Sequence, residues 1–339
     1  MSDHGENITG KNIGEEILNK EIIMGEITAE ETDRDLISII VPCYNEEKAL
    51  PAFYRAAADA VKDIRGADCE FIFVDDGSRD NTPEILEHFS AIDPRCRYLS
   101  FSRNFGKEAA MYAGLQNASG DYCVFMDADL QHPPELLKEM YRVLKTEDYD
   151  CCAGLREDRS GENPLRTFLS RSFYHIIGRA CRLDMGDGKG DFRMMSRAMA
   201  DSVLELKEYN RYMKGIFSFV GFETKWIPFH NAARTAGETK WSLRSLFRYA
   251  MDGILSFSTA PSTIAGAAGI LLLFAALAAG VSFLISGRGL SGIPLVICLI
   301  LALNGVQMLF LSILGQYMSK EYMESKRRPI YIVKKKGGF

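Results

Sequence analysis

Tyr122-Cys-Val-Phe-Met-Asp127-Ala-Asp129-Leu-Gln131-His-Pro-Pro134 is an apolar run that stops on two carboxylates one residue apart and then on a proline pair. An apolar run of that length reads as a buried strand. The prolines read as the first turn of a helix, Pro134 to Lys145. Towards the N-terminus the same unit recurs. Arg97 to Ser102 is a strand followed by a helix from Lys107 to Asn117. Cys69 to Asp75 is a strand followed by a helix from Thr82 to Ser90. Leu36 to Pro42 is a strand followed by residues 47–64 of helical composition. Past the quoted stretch, Tyr149 to Gly154 gives a fifth strand. Apolar strands alternating with helices predict an α/β fold with a parallel sheet covered on both faces. Ligands in such sheets bind beyond the carboxyl ends of the strands.

Three loops at that edge carry chemistry. Carboxylates at the end of a buried strand, such as Asp127 and Asp129, carry a desolvation cost unless a cation or hydrogen bonds offset it. A hard divalent cation with oxygen ligands does so, and it can hold a diphosphate at its open positions. A second acidic turn, Val74-Asp75-Asp76-Gly77-Ser78, follows the second strand. A third loop, Val41-Pro42-Cys43-Tyr44-Asn45-Glu46-Glu47, follows the first. Acidic side chains there can accept the N–H of a base or the hydroxyls of a ribose, and Tyr44 can stack on a base. Each turn alone is ordinary turn chemistry, but three acidic loops meeting at one edge point to a nucleotide ligand.

The chain has 339 residues, enough for about two domains, with 40 basic and 45 acidic residues and a net charge of −5. That balance excludes a nucleic-acid binder that works by bulk positive charge. The mean hydropathy of −0.07 averages a soluble part and an apolar C-terminal third. Pro261 to Ser286 holds 26 residues without a charge and Gly292 to Leu314 holds 23. At 1.5 Å per helical residue these reach about 39 and about 35 Å, enough to cross a hydrocarbon core of roughly 30 Å. The short link Gly287-Arg-Gly-Leu-Ser291 makes the pair a two-helix transmembrane hairpin. The basic flanks, Arg244 and Arg248 before it and Lys320, Lys326, Arg327, Arg328 and Lys334 to Lys336 after it, place both termini in the cytoplasm.

The remaining segments give an expected layout. Residues 1–34 are an acidic, flexible tail without the apolar core of a signal peptide. Residues 35–241 form the α/β domain, with a basic amphipathic helix at 165–183 suited to a headgroup layer. A second such helix spans 242–258, transmembrane helices 261–286 and 292–314 follow, and 315–339 is a basic cytoplasmic tail. The eight cysteines include no Cys-x-x-Cys pair, and most lie in apolar strand-like stretches, so they read as small buried hydrophobes of a reducing compartment.

The loop motifs, together with Ser102-Arg-Asn-Phe-Gly-Lys-Glu108, Gly190-Asp-Phe-Arg-Met-Met-Ser-Arg197 and Arg234-Thr-Ala-Gly-Glu-Thr-Lys-Trp241, carry a resemblance. The chain resembles a family 2 glycosyltransferase of GT-A (Rossmann-like) fold, in the polyisoprenyl-phosphate subgroup. The resemblance implies that Pro42, Tyr44, Glu46 and Asp75 or Asp76 hold the nucleoside, with Gly106 and Lys107 nearby. It implies that Asp127, Asp129 and Gln131 bind Mg2+ or Mn2+, and that Arg156, Arg166 and Ser170 contact the acceptor phosphate. Arg234 and Lys240 match a mobile loop that closes on the diphosphate, and Asp191 falls where inverting members place a catalytic carboxylate. The Gln-x-x-Arg-Trp signature of processive synthases is absent, which argues for transfer of a single sugar.

The implied reaction is inverting transfer from a nucleotide sugar, UDP-glucose first, to undecaprenyl phosphate at the bacterial inner membrane. GlcNAc, galactose and mannose stay open as the sugar. Membrane lipids and a second copy of the chain are the expected partners, and nucleic acid is not. The alternative of a different class is a membrane-anchored, non-catalytic nucleotide-binding scaffold or lipid-translocation partner.

Overall fold

The computed structural model describes residues 34–156, 189–229, 256, 260–285 and 293–339. The expected N-terminal tail and the helix at 165–183 lie outside these residues, as does all but Ser256 of the helix expected at 242–258.

The predicted strand–helix units form. Strand β1 (Asp35–Cys43) leads to α1 (Leu50–Lys62), β2 (Ala67–Asp75) to α2 (Thr82–Ile92), β3 (Cys96–Phe101) to α3 (Lys107–Gln116), and β4 (Tyr122–Phe125) to α4 (Leu136–Thr146) and β5 (Cys151–Arg156). Proline at the start of α1 and of α2 suits a position where no N–H partner exists. Each strand is buried on both faces because neighbouring residues enter different cores. Ile37, Ile39, Val41, Phe71 and Phe73 pack with α1, α2 and α4. Ile40, Ile72 and Val74 pack with α3.

The sheet is mixed, not parallel as expected. Among the described residues its order is β7-β5-β6-β4-β1-β2-β3-β8, where β6 is Lys189–Ser196, β7 is Thr224–Phe229 and β8 is Val333–Gly337. The four strands β1 to β4 pair in parallel, whereas β6 runs antiparallel to both β4 and β5, and β8 antiparallel to β3. β6 separates β4 from β5, and its alternation serves both cores. Phe192 and Met194 join the α1 side, whereas Met195 joins the opposite side with α5 (Arg197–Glu205) and α6 (Met213–Phe219). Pairing between strands far apart in sequence has no local signature, which is why β6, β7 and β8 escaped the sequence reading.

The chain runs β1, β2, β3 in one direction across the sheet and then returns to place β4 on the other side of β1. This reversal is a topological switch point, and the crevice beyond it is where such sheets take ligands. The loops after β1 and β4 flank it.

Helix α3 lies close against the sheet here. A Cβ built at Gly114 would stand 2.2 Å from Ile40 Cγ2, inside a fully buried side chain. Gly114→Ala is therefore expected to destabilise the domain by about 1–3 kcal/mol, as overpacking does. Thermal unfolding of the purified variant checks this, and an unchanged midpoint would contradict the close packing.

C-terminal to the domain, α7 (Ala260–Ile285) and α8 (Ile293–Ser325) are helices of 26 and 33 residues. Not every side chain along them is described. Among the described residues no helix is long and apolar enough to cross a membrane, so the structure does not support the expected hairpin. Residues 315–339, read as a basic tail, carry more structure than that: α8 continues to Ser325 and β8 completes one edge of the sheet.

Candidate active site

The loops after β1 and β2 are tied to each other. The Asn45 N–H donates to Ser78 Oγ (2.9 Å), the Glu46 N–H to Thr82 Oγ1 (2.9 Å) and the Arg79 N–H to Asn45 Oδ1 (2.9 Å), while Asn81 donates to Glu47 Oε2 (3.1 Å). Asn45 has φ of 55°, a left-handed conformation that asparagine tolerates better than most residues. Gly77 (φ 69°) allows the β2 loop to lie against the Arg103 and Asn104 backbone, which a Cβ would meet at 2.5 Å. Pro42 is partly buried in β1, and Tyr44 is 36% exposed beside the crevice.

Asp75 and Asp76, expected to hold the nucleoside, are both buried and are bonded within the protein. Asp75 Oδ1 accepts the Ser78 N–H (2.8 Å), and its Oδ2 accepts the Ser100 hydroxyl. Asp76 Oδ1 accepts the Phe105 N–H at 2.6 Å and Oδ2 the Gly106 N–H at 2.9 Å. Asp76 thus fixes the turn at Gly106 (φ 102°) from which α3 starts. Their geometry makes them shapers of the crevice edge. Ser100, a partner of Asp75, was missed from sequence because it lies in a strand distant from any motif.

Burial raises the Asp76 carboxyl from 3.8 to about 6, against the two N–H donors that favour its charge. The folded protein therefore keeps a proton that the unfolded chain has released between about pH 4 and 6. Stability contributed by this group falls as pH rises through that window, at roughly 1.4 kcal/mol per pH unit. Asp76→Asn is expected to flatten that part of the profile, measured as thermal midpoints at about pH 4.5 and about pH 7. A variant that keeps the wild-type slope would assign it to another group.

The centre of the crevice is a charge cluster. Lys107, the first residue of α3, places Nζ 2.7 Å from Asp127 Oδ1, 2.9 Å from Asp127 Oδ2 and 3.1 Å from Asp191 Oδ2. Asp127 lies just past the end of β4 and Asp191 in β6 beside it, so the antiparallel pairing of these strands brings the two carboxylates to one lysine. The side chains of Lys107, Asp127 and Asp191 are 42%, 34% and 19% exposed, so the cluster is partly open to solvent. Burial pulls the Lys107 ammonium down, but the two carboxylates outweigh it and hold Lys107 above the ordinary lysine value. Burial pushes Asp191 up, and Lys107 with Lys214 outweighs it, so Asp191 sits well below the usual carboxylate range. Asp127 is lowered in the same way, with burial opposed by Lys107 and His132.

The turn Asp127 to Gln131 is a tight one. Leu130 has φ of 58°, and Asp129 Oδ1 accepts the Gln131 N–H at 3.1 Å. His132 stacks on Phe192 with centroids 4.8 Å apart, and burial lowers its pKa. Next to Asp191, Arg193 is buried with its guanidinium 3.9 Å from the Phe217 ring centre. Sequence reasoning missed His132 and Arg193, although both stand inside quoted motifs.

The donor set suits a hard divalent cation. Asp127 and Asp129 present carboxylate oxygens, and Asp191 Oδ1 is buried with no hydrogen-bond partner among the described residues. In the present geometry a lysine ammonium supplies the positive charge. No group of three or more His, Cys, Asp or Glu side chains among the described residues is gathered for a metal, so the carboxylates would have to be completed by Gln131 or by the ligand itself. Arg156 lies at the end of β5. Arg166, Ser170, Arg234 and Lys240 lie outside the described residues.

Residues 38–204 match the family described as Glycosyl transferase family 2. The chain is 36% identical over 303 residues to a prophage bactoprenol glucosyl transferase homolog of Escherichia coli (strain K12), covering 88% of this chain and 98% of the relative. It is 36% identical over 302 residues to the bactoprenol glucosyl transferase of Shigella phage SfV, with the same coverage of both chains. Among solved structures, glucosyl-3-phosphoglycerate synthase from Mycobacterium tuberculosis overlaps 69% of this chain and 82% of its own at 18% identity and a TM-score of 0.46. An acidic crevice at the switch point of an α/β sheet, with the family's sequence across it, makes this chain a glycosyltransferase of glycosyl transferase family 2.

Proposed function

We propose that the protein transfers a single glucose from UDP-glucose to a polyisoprenyl phosphate, undecaprenyl (bactoprenol) phosphate, at the cytoplasmic face of a bacterial inner membrane. The observation that carries this reading is the reach of the likeness. Relatives named for bactoprenol glucosyl transfer match 88% of this chain, well past residue 204 and into the C-terminal helices.

The site's own residues suit that chemistry. Asp127 and Asp129, with Gln131, would hold Mg2+ or Mn2+, which neutralises charge on a leaving diphosphate when bound. Lys107 pairs with Asp127 and Asp191 and fixes both. A phosphate acceptor has a second pKa of about 6 and is largely ionised at neutral pH, so it needs no strong base. Asp191, held well below the ordinary range, is a poor proton acceptor and serves to orient the reacting groups. Arg156, Arg166 and Ser170 would contact the acceptor phosphate, and Arg234 and Lys240 would close on the diphosphate as cations that gain an interaction only with donor present.

Helices α7 and α8 would form the membrane hairpin. The sequence of α7 holds no charge over 26 residues. Its described side chains Ile264, Leu271 and Phe274 are more than 60% exposed, as are Met308 and Leu309 of α8. Apolar surface of that extent asks for lipid or for a second copy of the chain. Both termini and the catalytic domain would then lie in the cytoplasm. Release of UDP from UDP-glucose that requires both divalent metal and a polyprenyl phosphate tests the reading. Release that ignores the lipid contradicts it.

A further inference from the structure

The end of the chain returns to the catalytic sheet. After α8, the Ser102 N–H donates to Ile332 O at 2.9 Å, and β8 runs antiparallel along β3, with Phe101 opposite Val333 and Ser100 opposite Lys335. Without β8, β3 would be an open sheet edge. Two contacts lead inward from this segment. Ser100, paired with Lys335, gives its hydroxyl to Asp75. Tyr331 stacks on Phe101 with centroids 5.0 Å apart and planes 18° apart, and its hydroxyl donates to Gln116 Oε1 at 2.8 Å. Phe101 in turn meets Phe105 edge-on at 5.7 Å, and the Phe105 N–H is one of the two donors to Asp76. The same short loop ends in Lys107, the cation between Asp127 and Asp191.

We propose that residues 330–339 are a positioning strap for the donor-binding loop 102–107, and that Tyr331 is the residue through which the strap fixes it. The inference rests on the proposed reading in one respect, that the nucleotide sugar binds at this edge. The physical argument is preorganisation. The Phe105 and Gly106 N–H groups point at Asp76, and Phe101 packs edge-on against Phe105. Phe101 is held between Phe105 and Tyr331. Remove the Tyr331 ring and Phe101 loses a stacked partner, so the loop must be ordered when the ligand binds. That ordering weakens donor affinity and leaves the acceptor side alone.

The full-length protein in detergent carries the test, with UDP plus Mg2+ as the probe and amide exchange as a readout independent of activity. Tyr331→Ala is expected to speed exchange at Phe105 and Gly106 and to weaken UDP binding by about fivefold, the range of one aromatic pair. The acceptor KM is expected to stay within about twofold. Tyr331→Phe keeps the stack and is expected to stay near wild type. Lys334→Ala, an exposed change in the same strand, is expected to change nothing. Should Tyr331→Ala fail to fold, Tyr331→Leu keeps apolar volume without the ring and is read the same way. Unchanged exchange at Phe105 and Gly106 in a folded variant overturns the strap, as does a change confined to the acceptor KM. A wild type that binds no UDP refutes the donor reading of this edge instead, and amide exchange alone then judges the strap.

Discussion

Asp127→Asn is expected to lower transfer by about a thousandfold while the protein stays folded, the scale on which a charge-stabilising group at a reacting centre acts. Asp127 serves two partners. Its oxygens lie 2.7 and 2.9 Å from Lys107 Nζ, and it is the first of the carboxylates proposed to hold the cation. The amide keeps the shape and loses the charge. Among the described residues Lys107 then keeps Asp191, and the proposed cation loses a ligand. The cluster is partly open to solvent, so the fold does not depend on this pair and the loss falls on turnover. Initial rates with UDP-glucose and lipid phosphate, beside a thermal midpoint, check it. Near-normal turnover in the presence of a chelator would contradict the role given to Asp127.

Lys107→Met is expected to have the second largest effect, about a hundredfold in turnover. The substitution removes the ammonium that Asp127 and Asp191 share, and both carboxylates rise in pKa once it is gone. A second readout separates this from simple damage. If Asp127 holds the cation as proposed, the ammonium competes with it, so without donor the variant is expected to bind Mn2+ more tightly, by about tenfold, measured by electron paramagnetic resonance. Weaker Mn2+ binding in the variant would show that Lys107 and the metal do not share a partner.

Much of this site was legible before any coordinates. The strands β1 to β5 were readable because each is mostly apolar, as strands with a core on both faces are. The carboxylates at their ends were readable because three acidic loops fall at one edge of the sheet. β4 ends at Phe125, so Asp127 lies in the loop, where it reaches Lys107.

Lys107 itself was placed near the nucleoside. Its position between Asp127 and Asp191 depends on β6 pairing antiparallel with β4 across about 70 residues of chain, and no local pattern encodes that. The inward use of Asp75 and Asp76 was equally hidden, because a turn motif names its acids but not their hydrogen-bond partners. β8 was read as a tail for a related reason. Three consecutive lysines look like a solvated terminus, yet lysine on an edge strand also protects it from further pairing.

The most direct measurement is product analysis. The purified full-length protein is incubated with Mg2+, undecaprenyl phosphate and, in separate reactions, UDP-glucose, UDP-GlcNAc, UDP-galactose and GDP-mannose, and the lipid fraction is weighed by mass spectrometry. The account predicts one new lipid, undecaprenyl phosphate plus a single hexose, formed from UDP-glucose and not formed when Mg2+ is chelated. A lipid fraction unchanged with every donor, or a ladder of added sugars, would contradict it.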